Sequence, residues 1–448
     1  MTTYNRWIRL AMLAALLLCL TACGTKRYAV QSTPVLPATQ TTDSALAAGN
    51  GAEADKAGED AEDSANVHHN LAVKPADQHS WLGYVQHRID SLCHSVISET
   101  SQLGILIYDL TDNQPIYALN PQHRMRPASC MKLVTCITLL DRMSGSQSLC
   151  TEVRATGQLA DGVLNGDLYL TGDMDPMLSR ENLDSLASAL RQAGIDSVAG
   201  RICELMPPYE VPTYGWGWCW DDDYGPLAAH LVDGAEGILA AWPEALIKAG
   251  IRLNTSMMAE VSGQEGETIM AFAIEHPIAQ VMEPLLKMSD NIYAECLFHR
   301  LAAMSSHKKT ARHQAAAVVD SLITRLGLEP KDYLIADGSG LSLYNYVTPE
   351  LLVTLLNHAQ HNEQIRQYLL PCLPIAGVDG TLKKRMTGTR AQGNVLAKTG
   401  TVEGVSSLSG YLTAANGHLI SFSIINQGIV RTRTGHNFQD QVCLILCE

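Results

Sequence analysis

The sequence predicts an α/β (α+β) chain in which one antiparallel sheet is covered by helices and a mainly-β domain is inserted. Three observations predict it. Apolar residues alternate near both ends of the folded part, from Leu103 to Leu119 and again from Asn394 to Ile425. Helical patterns occupy Ile292 to Met304, Gln314 to Leu326 and Asn437 to Cys447. Between Ser129 and Ser289 lie about 160 residues of different character, more than any helix-to-helix connection needs.

The N-terminus is read first. Arg6 and Arg9 precede an apolar run, Leu10 to Leu20, too short for a comfortable membrane span, so residues 1–22 read as a signal peptide. The string Leu20-Thr21-Ala22-Cys23-Gly24 resembles the lipobox of bacterial lipoproteins. That resemblance implies cleavage before Cys23, lipid on Cys23, and an exported, membrane-anchored protein facing the periplasm. Residues 23–78 are rich in Ala, Thr, Gly, Asp and Glu and hold almost no large apolar side chains. They read as a disordered acidic tether, with His68-His69 solvated rather than metal-binding.

Residues 79–150 and 276–448 are expected to form one domain, and 151–275 the insert. Leu103 to Leu110 and Ile116 to Leu119 form a hairpin turning through Thr111-Asp112-Asn113. Next comes a helix whose apolar residues, Met131, Leu133, Val134, Ile137, Leu139, Leu140 and Met143, cover nearly every face, as in a buried core helix. In the insert, Gly166 to Thr171 is strand-like, and the Trp-rich stretch Gly215 to Trp220 reads as packing in preference to a cleft rim. Near the C-terminus, Asn416-Gly417 is a hairpin turn between two strands.

Three short strings carry the chemistry: Ser129-Cys130-Met131-Lys132, Ser289-Asp290-Asn291 and Lys398-Thr399-Gly400-Thr401. They supply a nucleophile, two proton handlers and a cationic anchor for a carboxylate, as an acyl-transfer serine enzyme needs. An S-x-x-K alone is expected roughly once by chance in such a chain. Two further copies, Ser305 to Lys308 and Ser306 to Lys309, read as a solvated helix end, and Ser64-Ala65-Asn66 lies in the tether. Context distinguishes Ser129. It opens the apolar helix, where backbone N–H groups and the positive dipole end face whatever its oxygen attacks. Lys132 lies one turn on, on the same face. The ordinary alternative is a Ser N-cap followed by a surface Lys. Lys398-Thr399-Gly400 is placed near a strand end, with Gly400 allowing close approach of a backbone or ligand.

A formal net charge of −14 argues against nucleic acid as a partner. Twelve cysteines are present, several in apolar runs where Cys acts as a small core residue. Neither a metal motif nor a nucleotide loop occurs, so no cofactor is expected.

Longer strings extend the likeness. They include Gly172-Asp173-Met174-Asp175-Pro176, Ala336 to Ser342, Val347-Thr348-Pro349, and Leu373 to Leu382 running on to the Lys398 box and Gly404 to Tyr411. In these and the three boxes, roughly Trp81 to Glu448 resembles the class C low-molecular-mass penicillin-binding proteins, the D-Ala-D-Ala carboxypeptidase/endopeptidase family. Two departures stand out. The insert is short enough for one extra domain, and Leu343-Tyr344-Asn345-Tyr346 stands where family members often carry basic residues.

The resemblance implies a β-lactamase/transpeptidase-like fold and peptidoglycan stem peptides as substrate, with β-lactams as inhibitors. It also implies that Ser129 attacks the carbonyl between two D-alanines, with Lys132 as candidate base and Ser289 relaying a proton. Asn291 would hold the substrate amide or orient Lys132. Lys398 and Thr399 would bind the terminal carboxylate beside Gly400, and the N–H groups of Ser129 and Thr401 would form the oxyanion hole. A β-lactamase or S-x-x-K esterase is a second reading, although nothing resembles the E-x-x-L-N segment of class A β-lactamases. A non-catalytic peptidoglycan-binding lipoprotein is a third, against which the three intact boxes argue.

Overall fold

The computed structural model describes residues 71–77, 79–94, 100–207, 211–222, 226–233, 236–254, 258–305 and 311–448. The signal, Cys23 and most of the tether therefore lie outside the described residues, as do Lys308 and Lys309.

Helix α1 (Trp81–Cys93) starts at Ser80, whose hydroxyl accepts the Gly83 N–H. Strands β1 (Gln102–Asp109) and β2 (Gln114–Leu119) form an antiparallel hairpin, and α2 (Met131–Arg142) follows a single 3-10 turn. Ten of the twelve α2 residues are buried, Lys132 among them.

The chain then makes an excursion. Strands β3 (Ser148–Thr156), β4 (Gln158–Ala160), β5 (Val163–Asn165) and β6 (Leu168–Gly172) lead to α3 (Arg180–Gln192). After β7 (Ser197–Val198), β8 (Ile202–Leu205), β9 (Leu231–Val232) and β10 (Glu236–Gly237) comes α4 (Ile238–Lys248). Strands β11 (Arg252–Leu253), β12 (Met258–Val261) and β13 (Thr268–Pro277) complete it. Its larger sheets run β12-β8-β6-β3-β13 and β11-β7-β5-β4. Val153, Leu170, Leu186, Leu190, Trp242 and Leu246 share a core of their own. Ser148 pairs with Pro277, so the excursion leaves and returns at one point.

Five helices come next: α5 (Ile278–Lys287), α6 (Asn291–Ala302), α7 (Ala311–Arg325), α8 (Pro349–His361) and α9 (Glu363–Cys372). Strands β14 (Leu396–Val402), β15 (Val405–Thr413) and β16 (Leu419–Gln427) precede the last helix, α10 (Thr432–Cys447). These strands join the N-terminal hairpin in one antiparallel sheet, β14-β15-β16-β1-β2, with Gln102 opposite Gln427.

Both faces of this sheet are covered, which explains why β1 is buried at seven of eight positions. Leu103, Ile105 and Ile107 pack with Val85 and Ile89 of α1 and Val442 and Leu446 of α10. Leu106 and Tyr108 turn the other way, onto Val353 of α8. Beneath that face, Leu133 and Ile137 of α2 meet Leu297 of α6, Val319 of α7 and Leu352 of α8. Truncating one such side chain to Ala costs about 2–5 kcal/mol.

The ten described cysteines are all free thiols, eight of them buried. Burial in the core, rather than cross-linking, accounts for Cys136, Cys372 and Cys443.

Candidate active site

The three boxes meet where α2, α6 and β14 converge. Ser129 lies in the 3-10 turn Ala128–Cys130, immediately before α2, and makes no side-chain cap. The N-cap alternative therefore fails. Its hydroxyl instead accepts a hydrogen bond from Lys132 Nζ at 3.0 Å. Ala128 holds φ 46°, a left-handed conformation that costs a non-glycine residue on the order of 1–3 kcal/mol. Ser289 is held the same way at φ 64°, so two of the boxes rest on strained backbone at the point of use.

Lys132 is fully buried and spends its three protons on the Ser129 hydroxyl, Asn291 Oδ1 (2.5 Å) and the Ser339 carbonyl (2.8 Å). The second box has a simple local logic. Asp290 caps α6 by accepting the Tyr293 N–H at 3.1 Å, which makes Asn291 the first helical residue and aims its amide at Lys132. Ser289, just before the cap, receives Lys398 Nζ at 2.9 Å. Lys398 also donates to the Thr399 carbonyl at 2.7 Å.

Two buried ammonium groups in one site are unfavourable, and both respond. Burial brings Lys132 down to about 8, against the opposing pull of Asp337, Glu295 and Asp290. Burial, and then the charge of Lys132, bring Lys398 down to about 7. An amine near 8 is about one-tenth free base at pH 7, whereas an ordinary lysine is so only about once in several thousand. That difference makes Lys132 competent as a base.

The Lys398 box does not sit at a strand end. It occupies the middle of β14, which continues to Val402 and pairs with β15 from Leu396 to the end. Ala397 N–H donates outward to Pro374 O, so by the two-residue period the peptide groups of Thr399 and Thr401 face the same outer edge. Gly400 explains the continuation. A Cβ there would lie 2.6 Å from Pro127 O and 3.0 Å from Ser129 N, so only glycine lets the strand lie against the turn that carries Ser129. Cys130 Sγ adds a contact from that turn to Lys398 O at 3.3 Å.

A cavity of about 230 Å³ opens here, lined by Ser129, Ser289, Thr381, Arg385, Thr399, Thr401 and His436. Gly400 is buried behind it. Three lining residues escaped the sequence reading. Thr381 accepts the Thr399 hydroxyl at 2.7 Å. Arg385 is paired with Asp440 of α10 at 2.6 Å, and His436 lies on the same helix. Thr381 stands inside the Leu373 to Leu382 string, which was a usable signal; Arg385 and His436 had none. Behind Lys132 lie two more buried residues: Ser339, inside the Ala336 to Ser342 string, which supplies a carbonyl, and Glu295, which was unread and holds Ser339.

The Trp-rich stretch packs against the segment 337–344. Trp218 Nε1 donates to buried Asp337 at 3.0 Å, and Trp216 packs at a tilt of 52° on Tyr344 with centroids 4.7 Å apart. Trp220 is 96% exposed. The buried carboxylate recruits one indole N–H and leaves its neighbours at the surface.

Known proteins are similar to this one over most of the chain. A D-alanyl-D-alanine carboxypeptidase of Haemophilus influenzae is 25% identical over 411 residues, covering 73% of this chain and 85% of that protein. Another, from Actinomadura sp. strain R39, is 26% identical over 434 residues, covering 76% and 80%. Among solved structures, penicillin binding protein 4 of Haemophilus influenzae superposes with a TM-score of 0.68 at 22% identity, covering 79% of this chain and 97% of that one. A predatory peptidoglycan endopeptidase of Bdellovibrio bacteriovorus gives 0.51 at 17% identity, covering 73% and 86%. The D-Ala-D-Ala carboxypeptidase 3 (S13) family matches residues 85–234 and 225–448, and the chain belongs to that family of serine peptidases.

Proposed function

We propose that this protein is a serine D-Ala-D-Ala carboxypeptidase/D,D-endopeptidase that cleaves peptidoglycan stem peptides through an acyl-enzyme on Ser129. The observation that carries the reading is the Lys132 amine, buried, partly free base, and hydrogen-bonded to the Ser129 hydroxyl. The relatives named above act as D-alanyl-D-alanine carboxypeptidases, and one neighbouring structure of penicillin binding protein 4 is a complex with a β-lactam.

The geometry supports the following steps. Ser129 Oγ adds to the carbonyl between two D-alanines as its proton passes to Lys132 Nζ. The oxyanion forms between the N–H groups of Ser129 and Thr401, brought together by the absence of a side chain at Gly400. The C–N bond breaks as the proton that Lys132 took passes by way of Ser289, which Lys398 contacts, to the leaving amine, so that Lys132 is free base again. Water then adds to the ester carbonyl and gives a proton to Lys132; the Oγ–C bond breaks, that proton passes to Ser129 Oγ, and the acid product leaves the free serine. Asn291 fixes the Lys132 amine throughout. Thr399 and Lys398 receive the terminal carboxylate, whose charge draws Lys398 to its protonated form.

β-Lactams, which present a strained amide to the same serine, are the expected inhibitors. Fluorescent penicillin should label Ser129, and Ser129→Ala should abolish labelling while the fold persists. Labelling of that variant would remove Ser129 from the nucleophile's role. Mass spectrometry of cross-linked and uncross-linked muropeptides after incubation separates carboxypeptidase from endopeptidase action.

The address is a separate proposal, resting on Leu20-Thr21-Ala22-Cys23. Lipid on Cys23 would hold the enzyme at a membrane, and a flexible tether of roughly 55 residues has a root-mean-square span of about 40 Å, enough to reach nearby cell wall. Cys23→Ser should release the protein to the soluble exported fraction with activity on soluble peptides unchanged. A soluble wild-type protein whose N-terminus is not Cys23 would overturn the lipoprotein reading alone.

A further inference from the structure

Glu295 lies one helical turn beyond Asn291 on α6, and the two residues reach Lys132 by different routes. Asn291 touches the amine directly. The Glu295 carboxyl, 1% exposed, accepts the N–H groups of Ser339 at 2.8 Å and Gly338 at 3.2 Å. The carbonyls of those two residues turn back to α2: Ser339 O takes Lys132 Nζ and Gly338 O takes the Thr135 hydroxyl, each at 2.8 Å. Glu295 therefore grips the donor side of the segment whose acceptor side grips the catalytic amine. Among the described residues no cation contacts it directly.

We propose that Glu295 is a positioning residue that holds Ser339 O against Lys132 and, by its own ionisation, sets the fraction of Lys132 present as free base. The inference rests on Lys132 being the base for Ser129. Several groups share the surroundings. Asp290, Cys296 and His299 belong to the region of α6, and Asp337 comes from the neighbouring loop. Lys132 and Cys136 come from α2, and Lys398 from β14. Behind Glu295 a cavity of about 380 Å³ is lined by Trp216, Phe298, His299, Arg312 and His313. Asp337 is committed to the groups around it: its carboxylate accepts the N–H groups of Gly340 and Ser342, the Asn345 amide, the Trp218 indole and, at 3.4 Å, the Ser339 hydroxyl. Glu295 is the carboxyl that holds the Ser339 N–H itself. Burial, and then Asp337, push the Glu295 carboxyl upward, while its anion favours the charged form of Lys132. Two buried groups so joined exchange protons as a pair.

The test is the pH profile of acylation by fluorescent penicillin, measured on Glu295→Gln. Removing the anion destabilises the Lys132 ammonium, so free base appears at lower pH. The rising limb should move down by roughly one pH unit, with the label still on Ser129. Glu295→Asp keeps the charge but shortens the reach, and should lower the rate while leaving the midpoint in place. A Glu295→Gln profile scaled down equally at every pH would show a merely structural role and overturn the proposal. If Glu295→Gln does not fold, carbon-13 NMR of the Glu295 carboxyl in wild type and Lys132→Met decides. Loss of the cation should raise the carboxyl's midpoint, and an unchanged midpoint refutes the coupling. Loss of labelling at Ser129 in the wild type would instead refute the catalytic reading itself.

Discussion

An alanine at position 400 adds one methyl carbon where β14 leaves no room for it. The new Cβ would lie 2.1 Å from Ser407 Oγ, 2.6 Å from Pro127 O and 3.0 Å from Ser129 N, against ordinary contacts that begin near 3.4 Å. The Ser407 hydroxyl can rotate, at the cost of its 2.6 Å bond to Pro127 O. The Pro127 carbonyl is backbone and cannot. Relieving it requires the nucleophile's turn to retreat from β14 by roughly 0.8 Å, widening the gap between the Ser129 and Thr401 N–H groups. A displacement near 1 Å at reacting atoms costs on the order of 100-fold in rate. Overpacking costs about 1–3 kcal/mol in stability, which leaves a folded protein. Stopped-flow acylation by a fluorescent penicillin, with melting measured in parallel, reads both effects. The double variant Gly400→Ala/Ser407→Ala removes the hydroxyl clash but not the carbonyl clash, so its acylation should stay slow. Acylation of Gly400→Ala within threefold of wild type, or full rescue by Ser407→Ala, would refute the argument that backbone contact at Pro127 positions the serine.

Two further outcomes follow from the buried amines. Acylation should rise with pH through about 8, because the reactive form is Lys132 free base and its folded-state value is lowered to about 8; a flat rate from pH 6 to 9 would exclude it as the base. Burial and the charge of Lys132 bring Lys398 to about 7, so binding of a free carboxylate should take up a proton and weaken as pH rises above that value. Lys398→Ala should then raise KM for peptides with a free C-terminal carboxylate more than for their amides, and equal losses on both would contradict the anchor role.

The central sheet and the buried helix after Ser129 were legible for a physical reason. Alternation at 103–119 and 394–425 reports two strand groups that must each bury a face, and Asn416-Gly417 specifies the turn joining β15 to β16. The apolar residues after Ser129 report a helix buried all round, which places Lys132 beside the serine without knowledge of any other element. These signals are local: period, turn chemistry and one-turn spacing act within a few residues.

What the sequence could not show depends on contacts between distant segments. The continuation of β14 through Lys398 to Val402 follows from Gly400 meeting Pro127, a position far from it in the chain. Arg385 lines the cavity while paired with Asp440, and His436 lines it from the helix that carries Asp440, a juxtaposition that no spacing announces. Trp218 reads as packing until Asp337 appears beneath it. Glu295 looks like an ordinary helical acid four residues after Asn291. Only burial, which removes water as a partner, turns it toward the backbone of Gly338 and Ser339. The lowered values of Lys132 and Lys398 belong to the same class. Composition supplies two lysines, and it is the tertiary structure that withdraws the water of both and sets the charge of Lys132 against Lys398, so that an amine in the site can accept a proton at neutral pH.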